Sequence, residues 1–89
     1  MQQNFYIISF ENTHTAMLAQ KLLKEHYKIT VVPTLREISQ SCGISVILPE
    51  LSREEAVSAV QSMQLEKGLY QLYFVCGAPP ARTVEPIEA

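Results

Sequence analysis

The chain contains no Trp, only three Gly and no Asp, since all nine of its acidic residues are Glu. The missing Asp removes the residue type on which many Mg²⁺ and phosphoryl-transfer sites rely, and those chemistries lose ground at the outset. Two cysteines, Cys42 and Cys76, are too few for a disulfide framework and are expected as thiols in a reducing compartment. No Cys-x-x-Cys is present, and His14, His26, Cys42 and Cys76 are too widely spaced for any usual zinc pattern, so no metal is expected. Basic runs are lacking as well. Seven Lys+Arg stand against nine acids for a formal charge of −2, the wrong footprint for gripping phosphate backbones, which argues against nucleic acid as a partner. No apolar run approaches the roughly 20 residues that span a bilayer, and Met1 is followed by Gln2, Gln3 and Asn4 rather than a cationic leader. A cytoplasmic chain with no membrane partner is the expectation.

What is present fits one small domain: 89 residues, 47% of them hydrophobic and 18% charged. Asn4 to Phe10 is a short apolar, aromatic and β-branched stretch suited to a central strand. Asn12, Thr13 and Thr15 then offer cap acceptors ahead of a helix over 16–25. Its apolar residues Met17, Leu18 and Leu22, with Ala19 and Leu23, predict the buried stripe, leaving Lys21, Lys24 and Glu25 to solvent. Lys28 to Pro33 reads as an edge strand closed by proline. Leu35 and Ile38 are spaced for one short helical turn, and Gly43 to Pro49 reads as strand three. Ser52 and Glu55 form a capping-box pattern, followed by the helical stripe Ala56, Val57, Val60 and Met63, with Gly68 marking the C-cap region. Tyr70 to Cys76 is strand four, with Tyr70, Leu72 and Phe74 facing the core and Tyr73 and Val75 on the other face. Residues 1–77 make the domain. Residues 78–89, rich in proline, make a C-terminal tail, either extended along the domain or mobile.

The order β-α-β-β-α-β predicts an α+β, two-layer ferredoxin-like sandwich with strand order 4-1-3-2. This topology brings the end of strand one, the start of helix one and the head of strand three to one rim. Cys42 belongs to that rim, and Cys76 to the opposite one, roughly 20 Å away by a strand's length, too far for a disulfide between them.

Cys42 sits in a polar segment with Arg36, Ser39 and Ser41 before it and Gly43 after it. A helix N-terminus on the same rim favours a thiolate over a thiol, His14 in its first turn is placed to take the proton, and Arg36 adds fixed positive charge. Ser39 and Ser41 are candidate hydrogen-bond donors to the anion, and Gly43 gives a partner's backbone room to approach. The plainer reading stays open beside this one: Cys42 as a small buried hydrophobe where a loop enters a strand, serines that satisfy loop backbone groups, and a glycine that eases the strand entry.

Thr13-His14 before the Ala16-Met17 helix, then Pro33, Arg36-Glu37-Ile38-Ser39 and Ser41-Cys42-Gly43, resembles the selenium/sulfur carrier-like protein family. The resemblance covers Phe5 to about Phe74, and its most specific part is the Pro…Arg-Glu-Ile-Ser-x-Ser-Cys-Gly stretch. It implies a carrier or accessory protein rather than a stand-alone enzyme, holding sulfur or selenium as a persulfide or selenosulfide on Cys42. Its partners are then donor and acceptor proteins, a thiol that carries the atom needs no metal or organic cofactor, and Thr13, Ser39, Ser41 and Gly43 are the candidate binding residues beside it. The chain has no Cys-Pro pair of the kind that other small sulfur carriers place at a helix start. A second reading comes from the sheet face that carries Tyr73 and Val75. If nothing in the chain covers that face, it predicts a non-catalytic regulatory or interaction module that forms a homodimer through it.

Overall fold

The computed structural model describes residues 4–33, 43–65, 68–77 and 82–88. Along these the chain forms β1 (Phe5–Phe10), α1 (Thr13–Lys24), β2 (Thr30–Pro33), β3 (Ile44–Ile47), α2 (Arg53–Ser62), β4 (Tyr70–Cys76) and β5 (Thr83–Ile87). The strands make one antiparallel sheet in the order β2-β3-β1-β4-β5, so the fold is α+β with two helices on a five-stranded sheet. The expected four-stranded order 4-1-3-2 is corrected at the tail. Thr83 to Ile87 pairs with β4, Leu72 opposite Ile87 and Cys76 opposite Thr83, and adds a fifth strand at that edge. Of the two courses expected for residues 78–89, extended or mobile, the part described is extended and hydrogen-bonded. Ile87 is buried in the core, and the Gln71 side-chain amide donates to the Ile87 carbonyl at 2.9 Å.

Side-chain alternation divides the sheet. Ile8 and Phe10 of β1, Val46 of β3 and Leu72 of β4 face the helices and join Ala16, Ala19, Leu23, Ala56, Ala59, Val60 and Met63 in one core. Tyr70 and Phe74 pack against it, as expected, and the Tyr6 and Phe74 rings meet at 4.9 Å between centroids. The opposite face differs from expectation. Val75 and Ile7 are fully buried within a single chain and Tyr73 is half-buried, so this face is not the open apolar surface from which the self-association reading started.

Local chemistry sets the helix starts. The Thr15 amide donates to Asn12 Oδ1 at 2.7 Å and caps α1. At α2 the Glu55 amide donates to Ser52 Oγ and the Ser52 amide to Glu55 Oε1, the reciprocal pair of a capping box. The end of α2 departs from expectation: the left-handed position that closes a helix is held by Gln64, with φ 54°, while Gly68, with φ 100°, serves the turn into β4. No described helix is long and apolar enough to cross a membrane.

The face of α1 is the largest correction. Its buried residues are Thr15, Ala16, Ala19 and Leu23, whereas Met17, Leu18 and Leu22, expected inside, are 62%, 43% and 38% exposed. Ala19 and Leu23 are inside as expected, and apart from Leu23 the inner side is lined by small residues. They let the helix backbone approach β1 and β3 closely, and the larger side chains on the remaining arc are left in water.

Candidate functional site

The rim expected to hold the chemistry is built by β1, α1 and β3. β1 ends at Phe10. The Glu11 amide then donates to the Leu69 carbonyl at 2.9 Å, Asn12 caps the helix, and the Ala16 amide makes the first helical bond to the Asn12 carbonyl at 3.1 Å. Thr13 and His14 therefore occupy the first turn, ahead of the amides that enter the helical ladder, and both are exposed. The first turn of α1 carries no acidic side chain, while Lys21 and Lys24 lie in its last turn. Its N-terminal partial positive charge is thus not offset from within the helix.

Sheet register places strand three against this end. Ser9 of β1 is opposite Ser45, and Pro33 of β2 is opposite Ile44, so the head of β3 and the half-buried Gly43 before it lie where β1 ends and α1 begins. Of the residues singled out from the sequence, the structure brings Thr13, His14 and Gly43 to one rim. Arg36, Ser39, Ser41 and Cys42 lie outside the described residues, as does the short helical turn expected at Leu35 and Ile38.

Cys76 is exposed at the other end of the sheet, next to Val75, whose partner is Phe5 at the start of β1. From Phe5 to Ser9 the strand rises about 13 Å, so the exposed thiol of β4 and the head of β3 are held on opposite rims. The Thr83 hydroxyl donates to the Cys76 carbonyl at 3.4 Å, which ties the backbone there to β5. Among the described residues no three His, Cys or Glu side chains are grouped so as to share a metal ion.

One feature escaped the reading of the sequence. The large apolar side chains most exposed among the described residues are Met17, Leu18, Leu22 and Val31, which belong to α1 and the edge strand β2. The available signal was that the small residues Thr15 and Ala16 recur at helical spacing with Ala19 and Leu23, so that the expected pair Ala19 and Leu23 could be buried with them rather than with Met17, Leu18 and Leu22.

Compared with known families, the chain matches the one described as "Putative Se/S carrier protein-like" over residues 5–71. The chain belongs to that family. The matched span runs from β1 through α1, β3 and α2 into β4, and it takes in both His14 and Cys42. Among curated proteins, an uncharacterized protein of Methanocaldococcus jannaschii is 45% identical over 40 residues, 45% of this chain and 20% of that protein's length. No solved structure matches the chain.

Proposed function

We propose that this family member is a carrier that holds sulfur or selenium on Cys42, as a persulfide or selenosulfide, between a donor and an acceptor protein. The observation that carries the reading is the family match across residues 5–71, which includes Cys42 and the helix start beside the head of β3. Support also comes from the first turn of α1, where Thr13 and His14 are exposed and no carboxylate opposes an anion. The scaffold then reads as a ferredoxin-like core extended by β5 at one edge.

The step is redox-neutral. His14 takes the Cys42 proton, and the thiolate, favoured by the helix end and Arg36, attacks the outer sulfur of a donor persulfide. The donor S–S bond breaks, a new S–S bond forms on Cys42, and the donor leaves as a thiolate. Delivery repeats the exchange with the acceptor's thiolate as nucleophile and Cys42 as leaving group. Ser39, Ser41 and Thr13 offer hydrogen bonds to the terminal anion, and Gly43 leaves room for the partner's backbone. A reducing compartment keeps such a thiol available.

Intact-mass spectrometry after incubation with glutathione persulfide, or with its selenium counterpart, tests this. The wild type and a Cys76→Ser variant gain the mass of one transferred atom, and Cys42→Ser gains none. An adduct that persists in Cys42→Ser, or one that forms on Cys76 alone, overturns the reading.

A further inference from the structure

We infer that the outer face of α1 is the docking surface for the protein that loads this carrier, and that the partner presents an apolar patch bordered by carboxylates. The inference rests on the carrier reading of Cys42 and names its partner class.

Leu18 and Leu22, left outside by the packing of Thr15, Ala16 and Ala19, form a stripe with His14, since positions 14, 18 and 22 follow one another at single helical turns, and Met17, three residues after His14 on the neighbouring row, widens it. The stripe starts at the rim that holds Gly43 and runs away from it. Val31, 47% exposed, extends it on the helix-facing side of β2, because Val31 is opposite the core residue Val46. No such stripe occurs on α2, whose exposed positions are Arg53, Glu54, Glu55, Ser58, Gln61 and Ser62. Apolar surface kept on one helix and absent from the other, and starting at the rim that holds Gly43, the residue after Cys42 in the sequence, suits a protein partner in thiol-to-thiol transfer.

Charge selects the occupant. Lys21, Lys24 and Lys28 lie in and just beyond the last turn of α1 beside the stripe and are the lysines of the described chain; Glu25 interrupts them and Glu11 lies at the opposite, N-terminal end of the helix, while Glu50, Glu54, Glu55, Glu85 and Glu88 lie on other elements. A local cationic rim in a chain of net charge −2 complements an acidic surface and steers it on approach. A second copy fits poorly. Helix α1 against helix α1 brings Lys21 and Lys24 of both copies together, and helix α1 against the glutamates near α2 meets Arg53 and makes an open-ended chain rather than a closed pair.

The test compares two routes of loading Cys42: a purified cysteine desulfurase charged with free cysteine, which presents its persulfide on a protein, and glutathione persulfide, which needs no docking. Three variants are measured with the wild type. Met17→Gln with Leu18→Gln removes the stripe, Lys21→Glu with Lys24→Glu reverses the rim, and Ser58→Gln on α2 is the control. Circular dichroism verifies that all remain folded. Expected is a fall of about tenfold or more in the desulfurase rate for both α1 variants, with the glutathione persulfide rate and the control unchanged. Salt slows only the desulfurase route, and only while the lysines are present. The docking inference is overturned if the α1 variants keep the desulfurase rate, if they lose both routes equally, if the wild type is loaded by glutathione persulfide but not by the desulfurase, or if light scattering shows that the variants break a homodimer. Loading of the wild type by neither route overturns the carrier reading itself.

Discussion

The two helices lie on the same side of one sheet and are built on different plans. Helix α2 is closed off from its surroundings: a capping box at its start, Glu54 and Glu55 in its first turn to offset the dipole, Ala56, Ala59 and Val60 turned inward, and polar side chains outward. Helix α1 has a single cap from Asn12, no acid in its first turn, and three large apolar side chains in water. Folding alone accounts for α2. It does not account for α1, because exposed Met17 and Leu18 add nothing to the core, and an uncompensated N-terminus forgoes the roughly 0.3–1 kcal/mol that a first-turn carboxylate contributes. The helix that departs from the stable pattern is the one whose start lies beside Gly43, the arrangement that the proposed carrier and docking roles call for.

The largest effect that probes this comparison lies within α1 itself, at two adjacent leucines. Leu23 is 1% exposed and belongs to the core, and Leu22 is 38% exposed. Leu23→Ala is expected to cost about 2–5 kcal/mol of unfolding free energy, because it leaves a cavity against the sheet. Leu22→Ala is expected to cost less than about 1 kcal/mol, since little apolar area is removed from the interior. Denaturant unfolding of both variants checks this, and equal costs would mean that the helix packs on the face predicted from its bulky residues.

That α1 buries Ala19 and Leu23 as expected but turns Met17, Leu18 and Leu22 outward shows what periodicity can and cannot decide. The same twelve residues contain two overlapping helical arcs: the expected one joins Met17, Leu18 and Leu22 to Ala19 and Leu23, and the observed one keeps Ala19 and Leu23 and adds Thr15 and Ala16. Hydrophobicity favours the first. Close packing on β1 and β3 selects the second, and the selection is a property of the tertiary contact rather than of the segment. Where a signal is local, reading succeeds: Ser52 and Glu55 satisfy each other without help from the rest of the fold, and the runs over β1 and β4 admit little but a buried strand. β5 was hidden because Glu85 and Pro86 are poor strand residues. At an edge they are tolerated, since a proline there need not break a ladder bond and a charge discourages further pairing. For the site, strand directions alone were sufficient to bring Thr13, His14 and the head of β3 together. The chemistry of the segment from Arg36 to Cys42 is read from residue type, not from any repeat, and those residues lie outside the described part of the structure.

Smaller effects come from the helix starts. Ser52→Ala removes the acceptor for the Glu55 amide, and with it the reciprocal geometry that also serves the Ser52 amide, while Asn12→Ala removes the single acceptor for the Thr15 amide. Each is expected to cost about 0.5–2 kcal/mol of stability. The two variants differ in their further consequence. On the proposed reading, loss of the Asn12 cap loosens the helix end that favours the Cys42 thiolate and slows its alkylation, whereas Ser52→Ala leaves that rate unchanged. Alkylation that slows equally in both, at matched stability, would remove the distinction between a helix that serves the fold and one that also serves the site.

The smallest effect concerns how the helices end. α1 leaves through Glu25 in right-handed conformation, φ −69°, with the His26 and Tyr27 amides both donating to the Leu23 carbonyl. α2 tightens, with the Met63 amide donating to Val60 and the Gln64 amide to Gln61, each at 3.2 Å, and then turns through Gln64 at φ 54°. A residue with a Cβ in the left-handed region costs about 1–2 kcal/mol, which glycine avoids. Glycine also loosens the unfolded chain, which subtracts about 0.4–1 kcal/mol from that gain. Gln64 is exposed, so no packing is lost on removing its side chain. Gln64→Gly is therefore expected to stabilise the protein by about 0.5–1 kcal/mol, and Glu25→Gly, at a right-handed position, to destabilise it by a similar amount. Opposite shifts in the denaturant midpoint bear this out. Shifts of the same sign would mean that the left-handed exit of α2 carries no strain for glycine to relieve.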